Sequence, residues 1–251
     1  MTRHVRRLAA VLSMLGVGAL LLVVSCTEPD CADIGTCATA VTADAAATPS
    51  DSVDVDVDAA PPPVKNKYGR DYPTNNRGWT PRRPGSKTPG DVIPPVVFEQ
   101  TVMPQLAPPA GTLPIVSSSL ADLYDPEVRT HDVIIIVLAT DWDPSSKPFL
   151  DGFGAMPDKT VLLTALGNGP TPTAPTLDDF ERWVKRYSWA WNVLDPSFVK
   201  LAELQDIYGE TYPSVILIDA RTMEIAWAEA TPSNQDVHTQ VALIRTRPPA
   251  Y

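Results

Sequence analysis

The residue types best suited to chemistry gather in one short run, Asp141-Trp142-Asp143-Pro144-Ser145-Ser146-Lys147, directly after the apolar stretch Val133–Thr140. Ser145 or Ser146 could act as a nucleophile, but a serine needs a base to take its proton. The basic group at hand is Lys147, next door in the chain. Asp141 and Asp143 could share acid–base work, but residues i and i+2 stay on one side only while the chain remains extended. The remaining role is structural. Asp followed by Pro is a favoured helix start, with the carboxylate accepting backbone N–H groups and the proline in the first helical position. That role accounts for Asp143, Pro144 and the two serines with the fewest assumptions, and it leaves the run without a catalytic residue.

Sulfur chemistry is confined to the other end of the chain. The cysteines are Cys26, Cys31 and Cys37, and residues 38–251 contain none. The histidines His4, His131 and His238 are far apart in sequence, so no four-ligand nitrogen and sulfur site is expected. Neither a metal nor a cofactor is expected.

The first residues read as an export signal. Arg3, His4, Arg6 and Arg7 precede the apolar stretch Leu8–Val24, which ends at Ser25 and Cys26. A basic start, an apolar stretch and a closing small residue describe a secretory signal, whereas a membrane-spanning helix needs about 20 apolar residues. Val23-Val24-Ser25-Cys26 resembles the lipobox of bacterial lipoproteins. The resemblance implies cleavage before Cys26 and a lipid on its sulfur, so membrane lipid is an expected partner. Each buried methylene of an acyl chain contributes about 0.8 kcal/mol, so several chains make a lasting anchor. Thr27, rather than an Asp, follows the cysteine, which in the sorting rule of such proteins favours the outer membrane. With Cys26 lipidated, Cys31 and Cys37 are a possible disulfide in an oxidising compartment.

Charge excludes one class of partner. Removing residues 1–25 deletes three arginines and no acid, taking the formal net charge from −10 to −13. Nucleic-acid binding rests on Lys and Arg neutralising phosphates, so none is expected here. Residues 26–87 read as a disordered tether, acidic and then basic. Asp51–Asp58 alternates acid and Val between Ala and Pro runs, which suits a solvated spacer. Residues 65–88 carry seven Lys or Arg against one Asp. Two readings of that stretch stand side by side: a linker balancing the acidic one, and a patch that touches an anionic envelope surface.

The folded domain is expected over 88–247, with 248–251 as a tail. Strands are expected at Val96–Phe98, Val133–Thr140, Thr160–Leu166, Trp189–Leu194, Ser214–Ile218 and Met223–Glu229. Leu120–Tyr124 has the spacing of a helical turn. Val133–Thr140 is apolar without alternation, the pattern of a strand buried on both faces. A short or broken helix is expected over Ser145–Met156, given Pro148, Gly152 and Gly154. Thr176, with Asp179 three residues on, starts a helix whose buried face carries Phe180, Trp183, Val184 and Tyr187. A helix over Ser197–Tyr208 is expected to stop at Gly209, and Ser233–Arg245 closes the chain as an amphipathic helix. Strands alternating with helices, then a hairpin and a last helix, predict an α/β fold with a mixed sheet covered on both faces.

With these residues, that order resembles the thioredoxin-like superfamily, in its redoxin and TlpA-like branch. Gly90-Asp91-Val92-Ile93-Pro94 is similar to the start of redoxin domains. Val133–Trp142 followed by Asp-Pro-Ser-Ser-Lys is similar to the family's apolar strand, Trp, Cys-x-x-Cys and Lys. Asp195-Pro196 and the segment Leu201–Asp219 resemble the family's helix, Tyr-Gly, cis-Pro and closing strand. The resemblance implies a thioredoxin-like mixed β-sheet flanked by helices, a cis peptide before Pro213, and a groove there that presents the backbone of Tyr212 to an extended partner. Asp143 and Ser146 stand where the family carries its two cysteines. In active members a helix N-terminus stabilises the first thiolate; a carboxylate there keeps the capping and cannot form a mixed disulfide. The expected function is therefore a redox-inactive binding or scaffolding module for an envelope protein or peptide. The alternative is thiol–disulfide or peroxiredoxin-like antioxidant activity through the tail cysteines.

Overall fold

The computed structural model describes residues 63–74, 77–104, 113–154, 156–208 and 211–250. The signal, Cys26, Cys31, Cys37, the acidic part of the tether and Gly209 lie outside them. The chain divides into two units at Val57, and every described residue belongs to the second.

The described residues build a seven-stranded mixed sheet in the order β2-β1-β5-β4-β3-β6-β7. The strands are β1 (Val97–Val102), β2 (Val116–Ser119), β3 (Val133–Thr140), β4 (Thr160–Asn168), β5 (Trp191–Leu194), β6 (Ser214–Asp219) and β7 (Glu224–Ala230). The helices are α1 (Ser146–Asp151), α2 (Leu177–Arg186), α3 (Ala202–Tyr208) and α4 (Asn234–Thr246). β3 occupies the centre, parallel to β4 and antiparallel to β6. Its unbroken apolar sequence follows from that position, because both of its faces are covered. Ile134, Ile136 and Leu138 enter one core with Phe98, Leu120, Phe198 and Ile216. Val133, Ile135 and Val137 enter the other, beneath Leu150, Phe180, Trp183, Val237 and Val241 of the helices.

Local signals set the helix starts. The Thr176 and Ser233 side chains each accept the N–H three residues on, and Asp179 and Asp236 return a carboxylate to the cap N–H. These are reciprocal capping boxes. α1 is short: Gly152 follows its last turn.

Two sequence expectations are corrected. Ser197–Tyr208 is not one α-helix. Pro196–Leu201 forms a 3-10 turn, with Ser197 and Phe198 in the left-handed region at φ 54° and 53°, and the α-helix starts only at Ala202. Tertiary contact overrides the helical pattern here, because Phe198 is drawn wholly into the core. The second correction concerns the basic stretch. Residues 63–74 and 77–87, expected as linker, are tied to the domain through Asn66, Tyr72 and Arg82. Tyr72 is 1% exposed and donates its hydroxyl to the Ile93 carbonyl. Asn66 donates to the Tyr124 carbonyl. Arg82 forks onto the Glu224 carboxylate at 2.6 and 2.8 Å. Gly90 allows this close passage, since a Cβ there would lie 2.3 Å from the Ile225 carbonyl. β2 had no counterpart in the sequence reading; its residues Val-Ser-Ser-Ser carry little strand signal.

Candidate functional site

The polar run sits where β3 leaves the sheet. The β3–β4 register shifts between Ala139 and Thr140, and the Asp141 N–H then donates to the Asn168 carbonyl. The chain turns at once. Asp143 Oδ1 accepts from the backbone N–H groups of Ser145 at 2.8 Å and Ser146 at 3.1 Å, at the head of α1. The Asp143 N–H donates to Thr140 Oγ1 at 3.3 Å. Ser146 is fully buried, its hydroxyl oxygen accepting from the Thr140 N–H at 3.4 Å. Lys147 is ion-paired with Asp141. Among the described residues neither serine therefore has a hydrogen-bonded base, and both carboxylates are engaged in the turn itself.

Beside this turn lies a groove of about 240 Å³, lined by Trp142, Asn168, Pro172, Ser197, Gln205 and Tyr212. Two aromatic rings line it, and a third packs behind them. Trp142, 37% exposed, stands edge-on to Tyr212 with centroids 6.1 Å apart. Tyr212 stacks on Phe198 at 5.4 Å and 23°. Phe198 in turn lies against the backbone of Gly167, where a Cβ would come within 2.1 Å of the ring. Gln205 donates to the Tyr212 hydroxyl at 3.2 Å. The Tyr212–Pro213 peptide bond is cis, and the Pro213 carbonyl accepts from the Thr231 N–H.

Asp195 holds the left-handed kink that delivers Phe198. Its buried carboxylate accepts from the N–H groups of Lys200 at 2.9 Å and Leu201 at 3.1 Å. Burial pushes its pKa up; those two donors oppose the shift. Together Asp195, Phe198 and Gly167 fix the groove wall from behind.

Of the residues singled out in sequence, Trp142 through Lys147 form the turn and Trp142 reaches the groove. Cys26, Cys31 and Cys37 lie outside the described residues. Sequence reasoning missed Asn168, Ser197 and Gln205 as lining residues, and its strand from Thr160 stopped at Leu166, one residue short of Gly167. The one signal that could have pointed to Gly167 was a glycine directly extending an apolar strand, a mark of close approach.

No family model matches the chain, and no curated protein does. Among solved structures, it is similar to a secreted thiol-disulfide isomerase from Corynebacterium glutamicum, at 15% identity and a TM-score of 0.45 over 67% of this chain and 98% of that one. It is also similar to a DsbF homologue from Corynebacterium diphtheriae, at 16% identity and a TM-score of 0.44 over 66% and 98%. StoA from Bacillus subtilis matches at 18% identity and a TM-score of 0.38 over 59% and 97%. The domain is thioredoxin-like on its own architecture. β3 and β4 run parallel at its centre, an antiparallel β6–β7 pair adjoins them, a helix follows the turn after β3, and β6 begins after a cis-proline.

Proposed function

We propose that the protein is a cell-envelope lipoprotein whose thioredoxin-like domain is redox-inactive and serves as a binding or scaffolding module. One observation carries the reading. At the head of α1, where the resembled family keeps its two cysteines, this chain has a carboxylate bonded to two backbone N–H groups and a hydroxyl sealed in the core. Neither group exchanges electrons with a disulfide. What remains is the groove: an exposed tryptophan ring beside amide and hydroxyl side chains suits an extended peptide or a loop of an envelope protein. Lipid on Cys26 would hold the domain at the outer membrane.

Assays of disulfide reduction and peroxide reduction on the full chain should give no turnover above a blank without protein. Turnover that survives replacement of all three cysteines would sink the proposal. The neighbouring solved structures include a disulfide oxidoreductase and a thiol-disulfide isomerase. Thiol trapping with and without reductant therefore asks whether Cys31 and Cys37 cycle. If they do, the domain belongs to thiol–disulfide chemistry through its tail. A photo-crosslinker placed at residue 145 in intact cells should capture a discrete partner.

A further inference from the structure

Three arginines line a second pocket, of about 220 Å³, at the β7 edge of the sheet. Arg82 and Arg83 enter from the turn before Gly90, Arg247 from the end of α4, and Trp227, Gln240 and Leu243 complete the lining. The charges are not balanced. Arg82 is answered by Glu224. Arg83 is exposed and has no bonded acid among the described residues. Arg247 Nη1 is buried with no hydrogen-bond partner among them. Asp236, one turn before Gln240, is taken up by the Ser233 cap. Arg83 and Arg247 thus line one pocket with no acid bonded to either among the described residues. An anion in the pocket would supply a charged acceptor to their accessible nitrogens.

This is not a by-product of a basic surface, since the chain as a whole carries a net charge of −10. Nor does it follow from the basic run alone. Lys65, Arg70 and Arg82 of that run are each paired with an acid, and Arg83 is the member aimed at this pocket without one. Arg247 is held in place from its backbone. Its N–H donates to the Ile244 carbonyl, and its own carbonyl accepts from Arg221, which is itself fixed on Asp219. Beside the polar Gln240, the lining carries the apolar side chains of Trp227 and Leu243, the latter 44% exposed.

We propose that this pocket binds an anionic amphiphile, with a phosphoryl group between Arg83 and Arg247 and a hydrocarbon portion against Trp227 and Leu243. A phosphoryl group suits two guanidiniums because it offers several charged acceptor oxygens in one small volume. Its source is either a phospholipid headgroup or a soluble phosphate ester.

The test is isothermal titration of the full chain at fixed ionic strength with hexyl phosphate, inorganic phosphate and hexanol. Hexyl phosphate should bind about tenfold more tightly than inorganic phosphate, and hexanol should not bind. Arg83→Gln and Arg247→Gln should each weaken hexyl phosphate about tenfold, while Lys185→Gln leaves it unchanged. Should Arg247→Gln fail to fold, Arg83→Gln, on an exposed turn, carries the test alone. Monomeric dihexanoyl phosphatidylglycerol and dihexanoyl phosphatidylcholine separate the sources. Preference for the former over hexyl phosphate supports the site and assigns it to lipid. Preference for hexyl phosphate supports the site and assigns it to a soluble ester. Equal affinity for hexyl phosphate and hexanol, or binding untouched in both arginine variants, overturns the proposal.

Discussion

Asp143 closes the turn ahead of α1 with one oxygen, which accepts the N–H groups of Ser145, the helix's N-cap, and of Ser146, its first residue. Replacing it with Ala should lower stability by about 1 kcal/mol in urea unfolding, and Asn should cost less. An unchanged midpoint for Asp143→Ala would show that the turn is held by something else. Gly167 is the more sensitive position. Its missing side chain is the space that the Phe198 ring occupies. Gly167→Ala should cost about 1–3 kcal/mol by overpacking. It should also alter the near-ultraviolet circular dichroism, because Phe198 cannot move without disturbing Tyr212 and Trp142.

Among the elements, the turn after the 3-10 segment Leu120–Leu123 carries the pH dependence. Asp125 is fully buried, which pushes its carboxyl upward. The N–H groups of Thr130, Arg129 and His131 and the Thr130 hydroxyl outweigh burial and hold its pKa at about 2. A depressed acid contributes stability that is present above its unfolded pKa of about 4 and is lost as pH falls toward the folded value. His131 acts in the same direction at higher pH. Burial depresses it, so the fold favours the neutral ring and loses stability as pH falls below the ordinary histidine value. The parent should therefore weaken on acidification. The gap between it and Asp125→Asn should narrow by about 2 kcal/mol between about pH 5 and about pH 2 in denaturant unfolding. A gap that is constant with pH would rule this out.

For the whole molecule, the edge of the domain lies earlier than the composition indicates. Tyr72, Asn66 and Arg82 tie the segment from residue 63 onward to Ile93, Tyr124 and Glu224, Arg82 and Glu224 being 142 positions apart. A chain beginning at residue 88 leaves the Glu224 carboxylate buried without its cation, a loss of about 3–5 kcal/mol. It should melt well below a chain beginning at residue 63. Equal melting temperatures would return residues 63–87 to the status of linker.

What the sequence determined by itself was whatever depends on neighbours. Capping boxes at Thr176 and Ser233 are written within four consecutive residues, and a strand buried on both faces announces itself by unbroken Val and Ile. The order of those elements was enough to point to a mixed α/β sheet, and particular residues along it supplied the resemblance to thioredoxin-like domains. The tertiary structure alone decided which surfaces meet. Pro and basic residues at 63–87 look like solvated linker until Tyr72 finds the Ile93 carbonyl. The helical pattern from Ser197 gives way because burying Phe198 against Gly167 outweighs a turn of local hydrogen bonds. The pairing of Arg82, and the absence of any acid for Arg83 and Arg247 among the described residues, likewise depends on chain segments that sequence spacing does not relate. Local propensity is a matter of tenths of a kcal/mol per residue, whereas burying an aromatic ring or a charge is worth several times more, so where the two conflict it is the distant contact that sets the backbone.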